Sequence, residues 1–100
     1  MNGLQLKLLK FAGFTQVWNV WSYPDGATVE HGHLPRFLGD ETACFKWLAP
    51  ELEYINVYYD KHLGFIVFVD GGAVCYEGTG KNLALTLCLA IEKLIDKEAE

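Results

Sequence analysis

The chain is expected to fold as an α+β domain, an antiparallel sheet of three to four strands with helices packed on its faces in an α-β-α sandwich. Three observations predict this. Residues 82–98 carry a broad apolar helical stripe, Leu83, Leu87, Ala90, Ile91 and Leu94, widened by Ala84, Cys88 and Ile95. Residues 54–60 and 65–69 are β-branched and aromatic runs separated by Lys61-His62-Leu63-Gly64, which reads as a hairpin. No β-α-β alternation demands a parallel sheet. In the central run Phe65, Val67 and Val69 point one way and Ile66 and Phe68 the other, so both sheet faces are apolar and each is expected to be covered.

The remaining elements follow in order. Leu4, Leu8 and Phe11, flanked by Leu9, recur at helical spacing before Gly13, predicting a helix over 3–12. Residues 14–23 hold Val17, Trp18, Val20, Trp21 and Tyr23 and stop at Pro24-Asp25-Gly26, predicting one strand ended by a turn. Residues 26–39 have no sustained period and form a long connection pinned by Leu34, Phe37 and Leu38. Asp40 caps a helix over 40–49 that ends at Pro50. After the hairpin, the tight turn Asp70-Gly71-Gly72 leads into a third strand over 73–77, and Thr79 is positioned to cap the last helix.

One hundred residues with 51% hydrophobic and 21% charged side chains can build one core, so residues 1–100 are read as a single domain. The formal charge of −5 disfavours a duplex nucleic-acid binder working by phosphate neutralisation. Cys44, Cys75 and Cys88 form no C-x-x-C pair, which argues against a zinc ribbon or a disulfide framework, and they are expected to be buried structural thiols. Neither a signal peptide nor a membrane span is recognised, and a bacterial cytoplasm is the expected location.

The succession Tyr23-Pro24-Asp25-Gly26, Leu34-Pro35-Arg36-Phe37, Ala43 to Pro50, Tyr76-Glu77-Gly78 and Lys81 to Ile91 resembles small bacteriophage and prophage proteins of the α-β-α (ABA) sandwich domain family. The resemblance spans nearly the whole chain. It implies a sheet between helices and a phage or prophage origin, with action in the host cytoplasm. It implies no reaction, because the matching stretches are turns, caps and core stripes.

Several short stretches carry residue types that could form a site. Gly78-Thr79-Gly80-Lys81 lies between a strand and a helix, where free N–H groups can hold an anion, and would be the ligand-binding site of a small-molecule or nucleotide binder. The loop lacks the Walker A pattern, since Cys75 and Asn82 stand where Gly and Ser/Thr are required. His31-Gly32-His33 has metal-ligand residue types but no further ligands marked by spacing, and no metal or cofactor is expected. His62 belongs in an exposed turn. No nucleophile has a base beside it, so a non-enzymatic protein is expected. Trp18, Trp21, Tyr23 and Phe37, with Asp25 and Glu30, are candidate protein-contact residues. Residues 25–53 hold six acidic and two basic side chains, which suits a host or phage partner with a basic surface, such as a component of a host defence system. The apolar breadth of the last helix also allows a homodimer.

Overall fold

A computed structural model describes residues 3–30, 32–70 and 74–98. The α+β class holds, with helices packed on an antiparallel sheet. Helix α1 spans Gly3–Phe11. It ends in a Schellman motif: Phe14 N–H donates to the Leu9 carbonyl at 3.0 Å and Gly13 N–H to that of Lys10 at 3.1 Å. Gly13 adopts φ +97°, a left-handed conformation that glycine takes without a Cβ penalty. Leu8 and Leu9 are buried, and Lys7 Nζ clasps Glu92 at 3.2 Å and Asp96 at 2.9 Å.

The run over 14–23 is two strands, not one. Strands β1 (Thr15–Val17) and β2 (Val20–Ser22) pair antiparallel as a separate two-stranded sheet, reversing at Trp18-Asn19. The reversal brings Phe14 and Tyr23 back to one place, where their rings meet each other at 5.6 Å and Trp47 at 5.0 and 5.7 Å. This three-ring cluster repays the fold for the tight turn, and the imperfect alternation around Asn19 is its only trace in the sequence.

Asp40 caps the next segment as expected, its Oδ1 accepting from Ala43 N–H at 3.2 Å. The segment opens as α2 (Glu41–Ala43), widens into π-type turns over Cys44–Leu48 and closes as a 3-10 turn over Ala49–Glu51 around Pro50. Cys44 and Leu48 face the core.

Strands β3 (Tyr54–Asp60), β4 (Gly64–Asp70) and β5 (Cys75–Gly80) form the main sheet in that order. The third strand therefore starts later and runs three residues beyond the expected 73–77. Ala73, Gly71 and Gly72 lie outside the described residues. Asp60 Oδ1 accepts from the N–H groups of His62 at 2.7 Å and Leu63 at 2.9 Å, closing the β3–β4 turn. Those two bonds, Leu63 first, hold its carboxyl below the ordinary 3.8. A depressed folded value means that the carboxylate stabilises the turn fully above the unfolded value and less as acid titrates it. The stability gap between wild type and Asp60→Ala should therefore narrow between about pH 5 and about pH 2. Urea unfolding at stepped pH measures this gap, and a constant gap would contradict the assignment.

Helix α3 (Leu83–Glu98) lies on the face formed by Val67, Val69 and Gly78. On its other side α3 meets α1 and the 3-10 turn Phe37–Gly39, which places it between them and the sheet. The expected helix layer over the second sheet face is not found among the described residues. Among the described residues, that face carries Tyr54, Tyr58, Cys75, Glu77 and Thr79 in exposed positions. Ile66 and Phe68 are half-buried because neighbouring tyrosines lie across them; Tyr58 meets Phe68 edge-on at 5.9 Å. Cross-strand aromatic cover replaces a helix layer. Cys75, expected to be buried, is exposed on β5.

Candidate functional site

The β1–β2 hairpin is rooted in the core and its tip is not. Trp21 is buried at the base, against Val29, whose N–H donates to the Trp21 carbonyl at 2.8 Å. Beyond it the chain runs out to Val17, Trp18 and Val20, exposed by 68%, 91% and 52%. Two-residue hairpin turns require a positive φ, which glycine and asparagine supply at least cost. Here the position is held by Trp18 at φ +58°, the one non-glycine residue with positive φ among those described. A left-handed L-residue costs on the order of 1–2 kcal/mol, and a side chain this exposed recovers little of it by burial. The tip is thus an apolar, strained projection with a large rigid ring at its end.

Segment 27–29 runs beside β2 through a Ser22–Thr28 bridge, and this brings Glu30 alongside the tip. A hollow of about 90 Å³ opens there, lined by Asn19, Trp21, Val29, Glu30, Gly32 and Leu34. Sites for drug-sized ligands run to about 300–1,000 Å³, so this one is too small for a nucleotide.

Of the six residues expected at a protein contact, Trp18, Asp25 and Glu30 are exposed. Asp25 also accepts the Ala27 N–H at 2.9 Å and shapes its turn. The other three are placed differently. Phe37 is fully buried, Trp21 is buried at the hairpin base, and Tyr23 is half-buried with its ring stacked on Trp47. Gln5 explains the burial of Phe37. Its amide donates to the Pro35 carbonyl and accepts from Phe37 N–H, which draws the connection down onto α1.

The stretch Gly78-Thr79-Gly80-Lys81 does not assemble an anion cradle. Gly78 and Gly80 lie within β5, where a Cβ on Gly78 would stand 2.4 Å from the Thr86 carbonyl oxygen and one on Gly80 2.7 Å from Thr86 Oγ1. These glycines let the strand approach α3. Thr79 points to the opposite face, and the helix is capped instead by Asn82, whose Oδ1 accepts from Leu85 N–H at 2.9 Å. Lys81 Nζ donates to the His62 carbonyl at 2.7 Å.

His31 lies outside the described residues. His33 Nδ1 stands 3.6 Å from Glu30 Oε2, and no group of three metal-ligating side chains occurs among the described residues. Cys44 and Cys88 are fully buried with sulfurs 3.8 Å apart, and both thiols lie within hydrogen-bond reach of the Phe37 carbonyl, at 3.1 and 3.5 Å. The hydrogen bond shared with Cys44, together with burial, pushes the Cys88 thiol far up. The pair packs the junction of the Phe37 turn, the 41–51 segment and α3.

Comparison with protein-family models, curated proteins and solved structures finds no match for this chain. The functional reading therefore rests on the geometry. Sequence reasoning placed Trp18 among several equivalent aromatics and missed its backbone strain. It also missed the open tyrosine face of the sheet, signalled only by the spacing of Tyr54 and Tyr58.

Proposed function

We propose that the protein is a non-enzymatic protein–protein interaction module, with the β1–β2 hairpin tip as its anchor. One observation carries this reading: Trp18, 91% exposed, is held in a left-handed turn position that favours glycine. Strain retained where it adds no packing is a mark of selection for something other than stability. Exposed tryptophans fill partner pockets and dominate interface energies. Glu30 beside the tip and Asp25 in the next turn favour a basic partner surface. A phage-encoded inhibitor docking on a host defence protein, where acidic side chains compete for a nucleic-acid-binding surface, is one concrete form of such a module.

Trp18→Gly separates function from stability. It is expected to stabilise the fold by roughly 0.5–1 kcal/mol, because relief of the left-handed strain exceeds the added chain entropy. The same substitution should weaken partner binding by roughly 30-fold or more. Affinity capture from bacterial lysate with wild type, Trp18→Gly and Trp18→Ala, alongside thermal unfolding, reads both effects. Equal capture by all three, or no stoichiometric partner with any, overturns the reading.

A further inference from the structure

The geometry points to a second interaction surface, the free edge of β3, and to its occupant: a second copy of this chain, paired antiparallel across a two-fold axis at Val57 to make a continuous six-stranded sheet. This goes beyond the hairpin reading and stands on different residues.

The two edges of the main sheet are unlike. On one, β5 has six residues with two glycines, and Lys93 Nζ from α3 donates to its Glu77 carbonyl at 2.5 Å. Lysine on a strand edge is a common block to further pairing. On the other, β3 has seven residues, YINVYYD, without lysine, proline or glycine. Its side chains are exposed on both faces: Tyr54 and Tyr58 on the open face, Val57 and Tyr59 on the α3 face. A long apolar edge of this kind is a template for strand addition.

The sequence of β3 also selects its partner. A two-fold axis perpendicular to the sheet keeps both copies of α3 on one face and pairs residues of like orientation. The register that pairs all seven residues centres on Val57. Val57 then meets its own copy, and Ile55 meets Tyr59 of the second copy, closing apolar surface between the two helices. On the open face Asn56 meets Tyr58 and Tyr54 meets Asp60, giving amide–hydroxyl and hydroxyl–carboxylate pairs. One step further, Glu53 meets Lys61 at each end. The ladder reaches Glu53 in the monomer, because its N–H already donates to the Asp70 carbonyl at 3.0 Å. Both side chains are exposed, and no like charges face each other from 53 to 61.

Sedimentation equilibrium or light scattering on the full chain should give twice the 11.3 kDa chain mass. Val57→Lys, at an exposed position, sets two cations at the axis and should halve the mass with an unchanged circular dichroism spectrum. Glu53→Lys and Lys61→Glu, each alone, oppose like charges at both ends and should weaken association at least tenfold. Combining them restores complementarity and should restore the dimer. The charge series tests the register even if Val57→Lys fails to fold. A monomeric wild type, a dimer that survives Val57→Lys in folded protein, or a double exchange no better than either single one would overturn the proposal. Trp18→Ala should leave the mass unchanged, so loss of partner capture and loss of the dimer are separately readable.

Discussion

Replacing Gly78 with alanine is expected to destabilise the protein by about 3 kcal/mol or more, a lowering of Tm by roughly 15 °C for a domain of this length. The added methyl would sit 2.4 Å from the Thr86 carbonyl oxygen and 3.2 Å from both the Ala90 nitrogen and its Cβ. Two of these three atoms are helix backbone, so no side-chain rotation can make room. Either β5 or α3 must move, and each carries a share of the core: Val67, Val69, Leu87 and Ile91 are fully buried at or near this junction. Gly39→Ala is the control, since a Cβ there meets nothing within 4 Å. Thermal unfolding of both variants tests the argument. A Gly78→Ala protein as stable as wild type would mean that the close approach is not what the glycine is for, and would reopen the anion-loop reading.

Phe37→Ala is expected to cost about 3–5 kcal/mol, the range for truncating a buried aromatic ring. The ring is fully buried between α1 and α3, on a 3-10 turn held from outside by Gln5 and from inside by two thiols on its carbonyl. Removing it leaves a cavity that these tethers keep from collapsing. The comparison that matters is with Trp18→Ala, where an aromatic of greater size is lost from the surface and stability should hold or rise. Denaturant midpoints for the two variants are expected to differ by most of the Phe37 effect. If Phe37→Ala unfolded within about 1 kcal/mol of wild type, the residue would belong at a surface and the core would need redrawing.

Local signals in the sequence account for part of this fold. Helix α3 and the β3–β4 hairpin were legible because a broad helical stripe and two β-rich runs around Lys61–Gly64 are local signals. Asp40 at the head of the 41–51 segment was legible for the same reason, since a cap acts over three residues. The hairpin at Trp18-Asn19 was not. Its stability comes from Phe14 and Tyr23 meeting Trp47, a contact between residues more than twenty positions apart. The second sheet face was misjudged on a different ground. An apolar central strand says that cover is needed, and tyrosines from the adjacent strand meet that need as a helix would.

The candidate site divides in the same way. Trp18, Trp21, Tyr23 and Phe37 are alike in composition and local pattern, and one of them stands out in solvent while another is sealed in the core. Glycines at 78 and 80 read equally well as an anion loop and as room for a neighbouring helix.

By itself, the sequence determined the class of fold, the main helices, the three-strand meander and the acidic character, because propensity, periodicity and net charge are summed from neighbouring residues. Only the tertiary structure decided which aromatic is strained into solvent, which face of the sheet stays open and which strand edge is left unguarded. Those outcomes depend on what distant segments bury against each other, and burial is a property of the packed chain rather than of any stretch of it.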